Sequence, residues 1–158
     1  MEKEENMFEE KLKQMGITIP ATVKPLAAYI PAMQVGNLVM TSGQVPMSAG
    51  AVKYSGKVGK DLSEEEGKAA AKLCALNCLS AVKSVIDSLD KIKRVLKLTV
   101  FVSSAEGFTA QPKVANGASE FIVEIFGEAG KHVRSAVGVS ELPLNSAVEI
   151  EMIVEVQS

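Results

Sequence analysis

The apolar positions of the chain change period several times, and each change marks an element. Residues 8–15 carry a short amphipathic pattern stopped by Gly16, which predicts a helix. Residues 17–25 contain Pro20 and Pro25 and read as an extended arm. Apolar runs at 29–35 and 38–41 flank Gly36-Asn37, the pattern of two strands joined by a tight hairpin. Ser42-Gly43-Gln44-Val45-Pro46 closes the second strand, and the glycine-punctuated residues 47–61 predict an irregular loop with a minor strand around Val52.

Ser63-Glu64-Glu65-Glu66 is a capping box, in which hydroxyl and carboxylate satisfy each other's free amides. Beyond it Leu73, Leu76, Leu79, Val82, Ile86 and Leu89 recur at helical spacing, predicting one long helix that covers a sheet. Residues 94–103 alternate Leu96, Leu98, Val100 and Val102 with Lys97, Thr99 and Phe101, which is a strand. Pro112 can open the next helix, whose stripe of Val114, Phe121, Ile122, Ile125 and Phe126 ends at Gly127. Residues 133–139 predict a strand and 142–145 a turn. In the final strand Val148, Ile150, Met152, Val154 and Val156 face one way, and Glu149, Glu151, Ile153 and Glu155 the other.

The order β-β-(β)-α-β-α-β-β predicts an α+β fold, a mixed β-sheet with two helices packed on one face. The second face mixes charge with apolar residues and suits burial against another subunit. Residues 1–25 form a helix and arm, and residues 26–158 a single domain without repeats.

Apolar residues are 47% of the chain and charged residues 23%, which places it in the globular class. No apolar run reads as a membrane span. The acidic start, Met1-Glu2-Lys3-Glu4-Glu5-Asn6, lacks the basic and apolar segments of a secretory leader, so the cytoplasm is the expected compartment. A net charge of −2 without a basic run argues against nucleic acid as partner. Cys74 and Cys78, four apart on the long helix, are poorly aimed for a disulfide and read as core thiols. His132 is the only histidine, so neither a metal site nor a hydrolytic triad is expected, and it reads as a surface or edge residue. Phosphate-loop, dinucleotide and Gly-x-Ser-x-Gly motifs are absent.

Three features could carry chemistry. Arg134 interrupts a strand of small and apolar residues; its guanidinium must reach solvent, pair with a carboxylate or bind a ligand anion. The plainest of these is an ion pair with a glutamate of the last strand. Glu149 and Glu151 share a face and repel, so they belong either to a solvated surface or to a site where one activates water. Thr41-Ser42-Gly43-Gln44 is either an ordinary turn or a place where freed backbone amides hold an anion.

Residues 41–46, the segment Val114-Ala115-Asn116-Gly117-Ala118-Ser119-Glu120-Phe121 and the stretch 134–155 together resemble the RidA/YjgF family, from about Tyr29 to the C-terminus. The resemblance implies a chorismate-mutase-like fold assembled as a homotrimeric barrel with sites between subunits. It implies hydrolytic deamination of reactive 2-enamino or 2-imino acids to 2-keto acids and ammonia, with no cofactor. It makes Arg134 the carboxylate grip and Glu149 the residue that positions or activates water, with Tyr29, Ser42, Gly43, Gln44, Asn116 and the Ala136 position lining the pocket. Ala136 stands where many members have cysteine, Ala27-Ala28 where Gly-Pro is common, and the interval from Asn116 to Arg134 is one residue longer. A non-catalytic module that senses a keto acid is the alternative; the family's endoribonuclease and translation-inhibitor label sits poorly with the acidic balance.

Overall fold

The computed structural model describes residues 7–22, 25 and 27–158. The charged start and arm positions 23, 24 and 26 lie outside them. Helix α1 (Phe8–Gln14) precedes the hairpin of β1 (Ala32–Val35) and β2 (Leu38–Thr41), which turns at Gly36 with φ +58°. The first strand begins at Ala32, later than its apolar run, because Pro31 has no amide to give to a ladder. A small hairpin, β3 (Met47–Ser48) and β4 (Ala51–Val52), occupies the loop. Then come α2 (Glu64–Ile86), β5 (Ile92–Ser103), α3 (Gln111–Phe126), β6 (Val133–Val139) and β7 (Val148–Val156).

The main sheet has five strands in the order β1-β2-β7-β5-β6. Only β5 and β6 run parallel, and α3 makes the crossover that a parallel pair requires. The last strand alternates as expected: Val148, Ile150, Met152, Val154 and Val156 are buried beneath the helices. In β5 a register shift between Val95 and Lys97 resets the alternation, so Val95 joins Leu98, Val100 and Val102 in the core and Leu96 does not. Arm and fold are joined at α1, where Leu12 is buried and Phe8 meets Phe126 edge to face, ring centroids 4.6 Å apart.

The capping box opens α2: the Glu66 amide donates to Ser63 Oγ at 3.1 Å and the Ser63 amide to Glu66 Oε1 at 3.2 Å. By length and composition alone α2 could cross a membrane, contrary to the expectation above. Its apolarity is spent inside the fold. The buried face is built largely from small residues, Ala70, Ala71, Cys74, Ala75, Cys78 and Ala81, with Leu79 and Val82. Leu73 and Leu76, expected in the core, are only half-buried. Both thiols are free and buried, and burial pushes Cys78 up to about 12, leaving it protonated and inert.

Helices α2 and α3 touch backbone to backbone at Gly117, where a Cβ would lie 2.7 and 2.8 Å from the carbonyl carbon and Cα of Lys68. Contacts that short force the helices apart. Gly117→Ala gains about 1 kcal/mol of helix propensity and still destabilises the fold by roughly 1–3 kcal/mol, read as a lower denaturant midpoint. An unchanged midpoint would mean that the two helices can separate freely.

Candidate active site

The sheet opens beyond Ala32, the first residue of β1, which pairs with Thr41 at the end of β2. Met40 of β2 pairs with Ile153, but Gln44 pairs with Ile150, so four steps on one side match three on the other. The extra residue is absorbed at Ser42-Gly43 as a bulge, and the Met152 amide, stranded by it, donates to Thr41 Oγ1 at 3.1 Å. Past this point β7 still flanks the chain but β1 does not, and the gap on that side is a cleft of about 590 Å³ lined by residues of the sheet, the arm and α2. Tyr29, Gly43, Gln44 and Glu149 all line it. Ser42 stands behind the wall, its hydroxyl donating to the Ile30 carbonyl at 2.6 Å and so fixing the segment that carries Tyr29.

Glu149 is packed on Gly43, where a Cβ would come within 2.9 Å of its carboxyl carbon. A side chain at position 43 would push the Glu149 carboxylate out of this place. The carboxylate is half-buried and has no hydrogen bond or ion pair among the described residues. Burial, and then Glu151 on the same face, raise its pKa above the ordinary carboxylate value. The strand beneath it is pinned by the two buried thiols: Cys74 donates to the Val148 carbonyl at 3.4 Å and Cys78 to that of Ile150 at 3.3 Å.

Arg134 belongs to a second cluster. It stands opposite Leu98 in register, on the helix-covered side of the sheet, and its Nη1 donates to Asn116 Oδ1 at 2.8 Å and Ser119 Oγ at 3.1 Å. Ala136, two residues on, shares that face opposite Val100. The expected ion pair with the last strand is not formed, because β6 borders β5 and not β7. Among the described residues Arg134 makes no ion pair; its two acceptors are neutral and leave its charge uncompensated.

Ser119 completes this cluster together with His132, which was expected at the surface or an edge and instead lies inside it. His132 is half-buried. Its Nδ1 lies 2.6 Å from the Gly130 carbonyl, which can only accept, so Nδ1 carries the proton. Nε2 then accepts from the Ser119 hydroxyl at 2.9 Å, and Ser119 Oγ accepts from Arg134. Burial, with Arg134's charge as a lesser cause, lowers the His132 pKa and keeps the ring neutral. Spacing held the clue: Ser119 is three residues from Asn116 on a helix, and His132 stands two residues before Arg134, just ahead of β6.

The expected residues thus form two clusters. Glu149 pairs with Phe101 on the open face of the sheet, and Arg134 points to the other. Two inter-strand spacings and three residues separate them, roughly 14 Å between Cα atoms at ordinary sheet spacings. No rotamer brings a guanidinium and a carboxylate together through a sheet. No group of three or more potential metal ligands occurs among the described residues.

A family profile described as "YjgF/chorismate_mutase-like, putative endoribonuclease" matches residues 9–156, arm included. The chain is 42% identical over 148 residues to protein TCP17 of Trypanosoma cruzi, covering 93% of this chain and 92% of that one. It is 31% identical over 142 residues to a protein of Dermatophagoides farinae named 2-iminobutanoate/2-iminopropanoate deaminase, covering 89% and 95%. The crystal structure of Atu1372 from Agrobacterium tumefaciens, a protein of unknown function, superposes with a TM-score of 0.89 at 44% identity, over 95% of this chain and 92% of that one. With the mixed sheet and its helices, these matches establish that the chain belongs to the YjgF/RidA family.

Proposed function

We propose that this protein hydrolyses reactive 2-imino acids, and their 2-enamino tautomers, to 2-keto acids and ammonia. The observation that carries the reading is the pair of uncompensated charges of opposite sign, each held by a scaffold that leaves it available. Arg134, braced by Asn116 and Ser119, offers a fork that matches a carboxylate. Glu149, desolvated against Gly43, has the raised basicity a general base needs. Water adds to C2 as Glu149 takes one of its protons and passes it to the nitrogen; the hydroxyl proton of the resulting carbinolamine then follows by the same route as the C–N bond breaks, so that nitrogen leaves as ammonia and oxygen remains as the keto group. An imine is already electrophilic, so orientation and a base suffice.

The two charges serve one substrate only if they come from neighbouring subunits. We place the site in a cleft between copies, with Arg134 and Ala136 from one and Glu149, Gly43, Gln44 and Tyr29 from the next, in the homotrimer that the family resemblance implies. The surface of the sheet supports assembly. Its open face shows Met33 at 47% exposure, Met40 at 37% and Val137 at 44%, side chains that favour a partner over water. The relative from Dermatophagoides farinae bears the name of this activity, which supports the same reading. The acidic balance of the chain, −2, offers little to a phosphate backbone.

Ammonia release from 2-aminoacrylate generated in situ tests the proposal. Wild type should accelerate it, and Arg134→Ala and Glu149→Gln should each lose at least about a hundredfold in kcat/KM. A folded wild-type protein that binds 2-ketobutyrate without accelerating the reaction would leave the sensing module as the better account.

Stability gives an independent check. The raised pKa means that folding favours protonated Glu149, a contribution present below the ordinary value of 4.5 and lost as pH rises through the folded pKa. At neutral pH the ionised side chain therefore costs stability. Glu149→Gln should melt above wild type at pH 7, with the gap closing below pH 4.5; a lower melting temperature at pH 7 would mean that Glu149 has a partner.

A further inference from the structure

The cleft beside Glu149 is much larger than a three-carbon imino acid. Its volume, about 590 Å³, falls in the range that accommodates ligands several times that size. The wall away from Glu149 is apolar: Leu73 and Leu76 of α2, Val45 and Met47 beyond the bulge, and Leu144 of the turn before β7. These two α2 leucines are half-buried beside a buried face of small residues and line the cleft, Leu76 also packing against the core.

The polar side chains of this wall are largely occupied in building it. Asn77 Nδ2 donates to the carbonyls of Val45 and Met47, both at 2.9 Å. Ser80 Oγ donates to the Pro20 carbonyl at 2.6 Å, and Thr22 Oγ1 to that of Ser80 at 2.9 Å, which straps the arm onto α2. Gln44 Nε2 donates to the Ser42 carbonyl at 3.3 Å. Beside them Leu73, Leu76, Val45, Met47 and Leu144 give the cleft hydrocarbon, and Glu149 gives it an unpartnered carboxylate.

Leu144 supplies a separate sign. It is 67% exposed and sits at φ +58°, in the left-handed region, followed by Asn145 at +56°. A leucine in that conformation costs about 1–2 kcal/mol, and exposing it to water recovers none of that. Strain of this kind persists where the surroundings impose it and collects at ligand sites. The turn is fastened on both sides, by the Asn145 amide to the Leu142 carbonyl at 3.2 Å and the Gly56 amide to the Asn145 carbonyl at 2.8 Å. Leu144 is thereby held over the cleft that it lines.

We infer that this apolar lobe receives the substrate's side chain, so that the preferred substrates are 2-imino acids bearing a branched aliphatic or aromatic group. The inference rests on the deaminase reading above and adds to it the class of substrate. A small imino acid binds through its carboxylate and reacting carbon alone, while a leucine- or phenylalanine-derived imine also buries its side chain against Leu73, Leu76 and Leu144.

Imines generated in situ by an L-amino-acid oxidase from L-leucine, L-phenylalanine and L-alanine test this, with ammonia release as the readout. The kcat/KM for the leucine- or phenylalanine-derived imine should exceed that for the alanine-derived one by at least about tenfold, the effect of one or more buried methylenes. Leu76→Gln on α2 and Leu144→Ser on the turn before β7 should each reduce that ratio several-fold; because a ratio within one preparation is read, partial loss of folded protein does not mimic the effect. Acceleration of all three imines with no preference, or a preference that both variants retain, overturns the inference while the deaminase reading stands. If no imine is accelerated, the deaminase reading fails, and calorimetry with 4-methyl-2-oxopentanoate against pyruvate decides the lobe. Tighter binding of the larger keto acid, weakened by Leu144→Ser, upholds it; equal binding removes it.

Discussion

Side chains alternate across a β-strand, and that rule governs what Arg134 and Glu149 can do for each other. Leu98 and Val100 of β5 face the helices, and Arg134 and Ala136 stand beside them in parallel register. Phe101 faces the opposite way, and Glu149 stands beside it. Reversing either would require a one-residue slip that also turns a buried face to water, so the hydrophobic core itself enforces the separation. A reaction that needs both charges on one small substrate must then draw them from two copies of the chain.

The same constraint explains why each half of the site is unfavourable in isolation. Glu149 is desolvated without a partner, and Arg134 is bonded only to neutral oxygens. Leu144 is strained and exposed. By contrast, both bonds of the capping box at the start of the long helix are made, and the buried thiols find carbonyls. Unpartnered charge and backbone strain at these positions are what is expected where stability has been traded for binding.

Much of the fold was legible because each element has a single strong period. The alternation of 148–156, the capping box at Ser63 and the Gly36-Asn37 turn all leave little choice. What the pattern hid was the consequence of small side chains. A leucine stripe reads as core, yet Ala70, Ala71, Cys74 and Cys78 make up much of the buried face of α2, and Leu73 and Leu76 are only half-buried beside it. The bulge at Ser42-Gly43 was likewise invisible, because an inserted residue leaves no trace in a short strand. Arg134 and Glu149 stood out as charges in apolar or repulsive settings. Their true neighbours, Asn116, Ser119 and Gly43, depend on strand order, which periodicity does not encode. The ion pair expected for Arg134 failed for that reason: β5 lies between the two strands.

The account stands or falls on whether one active site is shared between two subunits. Subunits carrying Arg134→Ala and subunits carrying Glu149→Gln, each inactive alone, can be unfolded together, mixed in equal amounts and refolded. In any closed ring where each cleft joins Arg134 of one copy to Glu149 of the next, random mixing rebuilds both groups in about a quarter of the clefts. Imine hydrolysis recovering to about that fraction of wild type would establish the shared site. A mixture as inactive as its parents, although the refolded assemblies contain both kinds of subunit, would show that Arg134 and Glu149 do not act on one substrate.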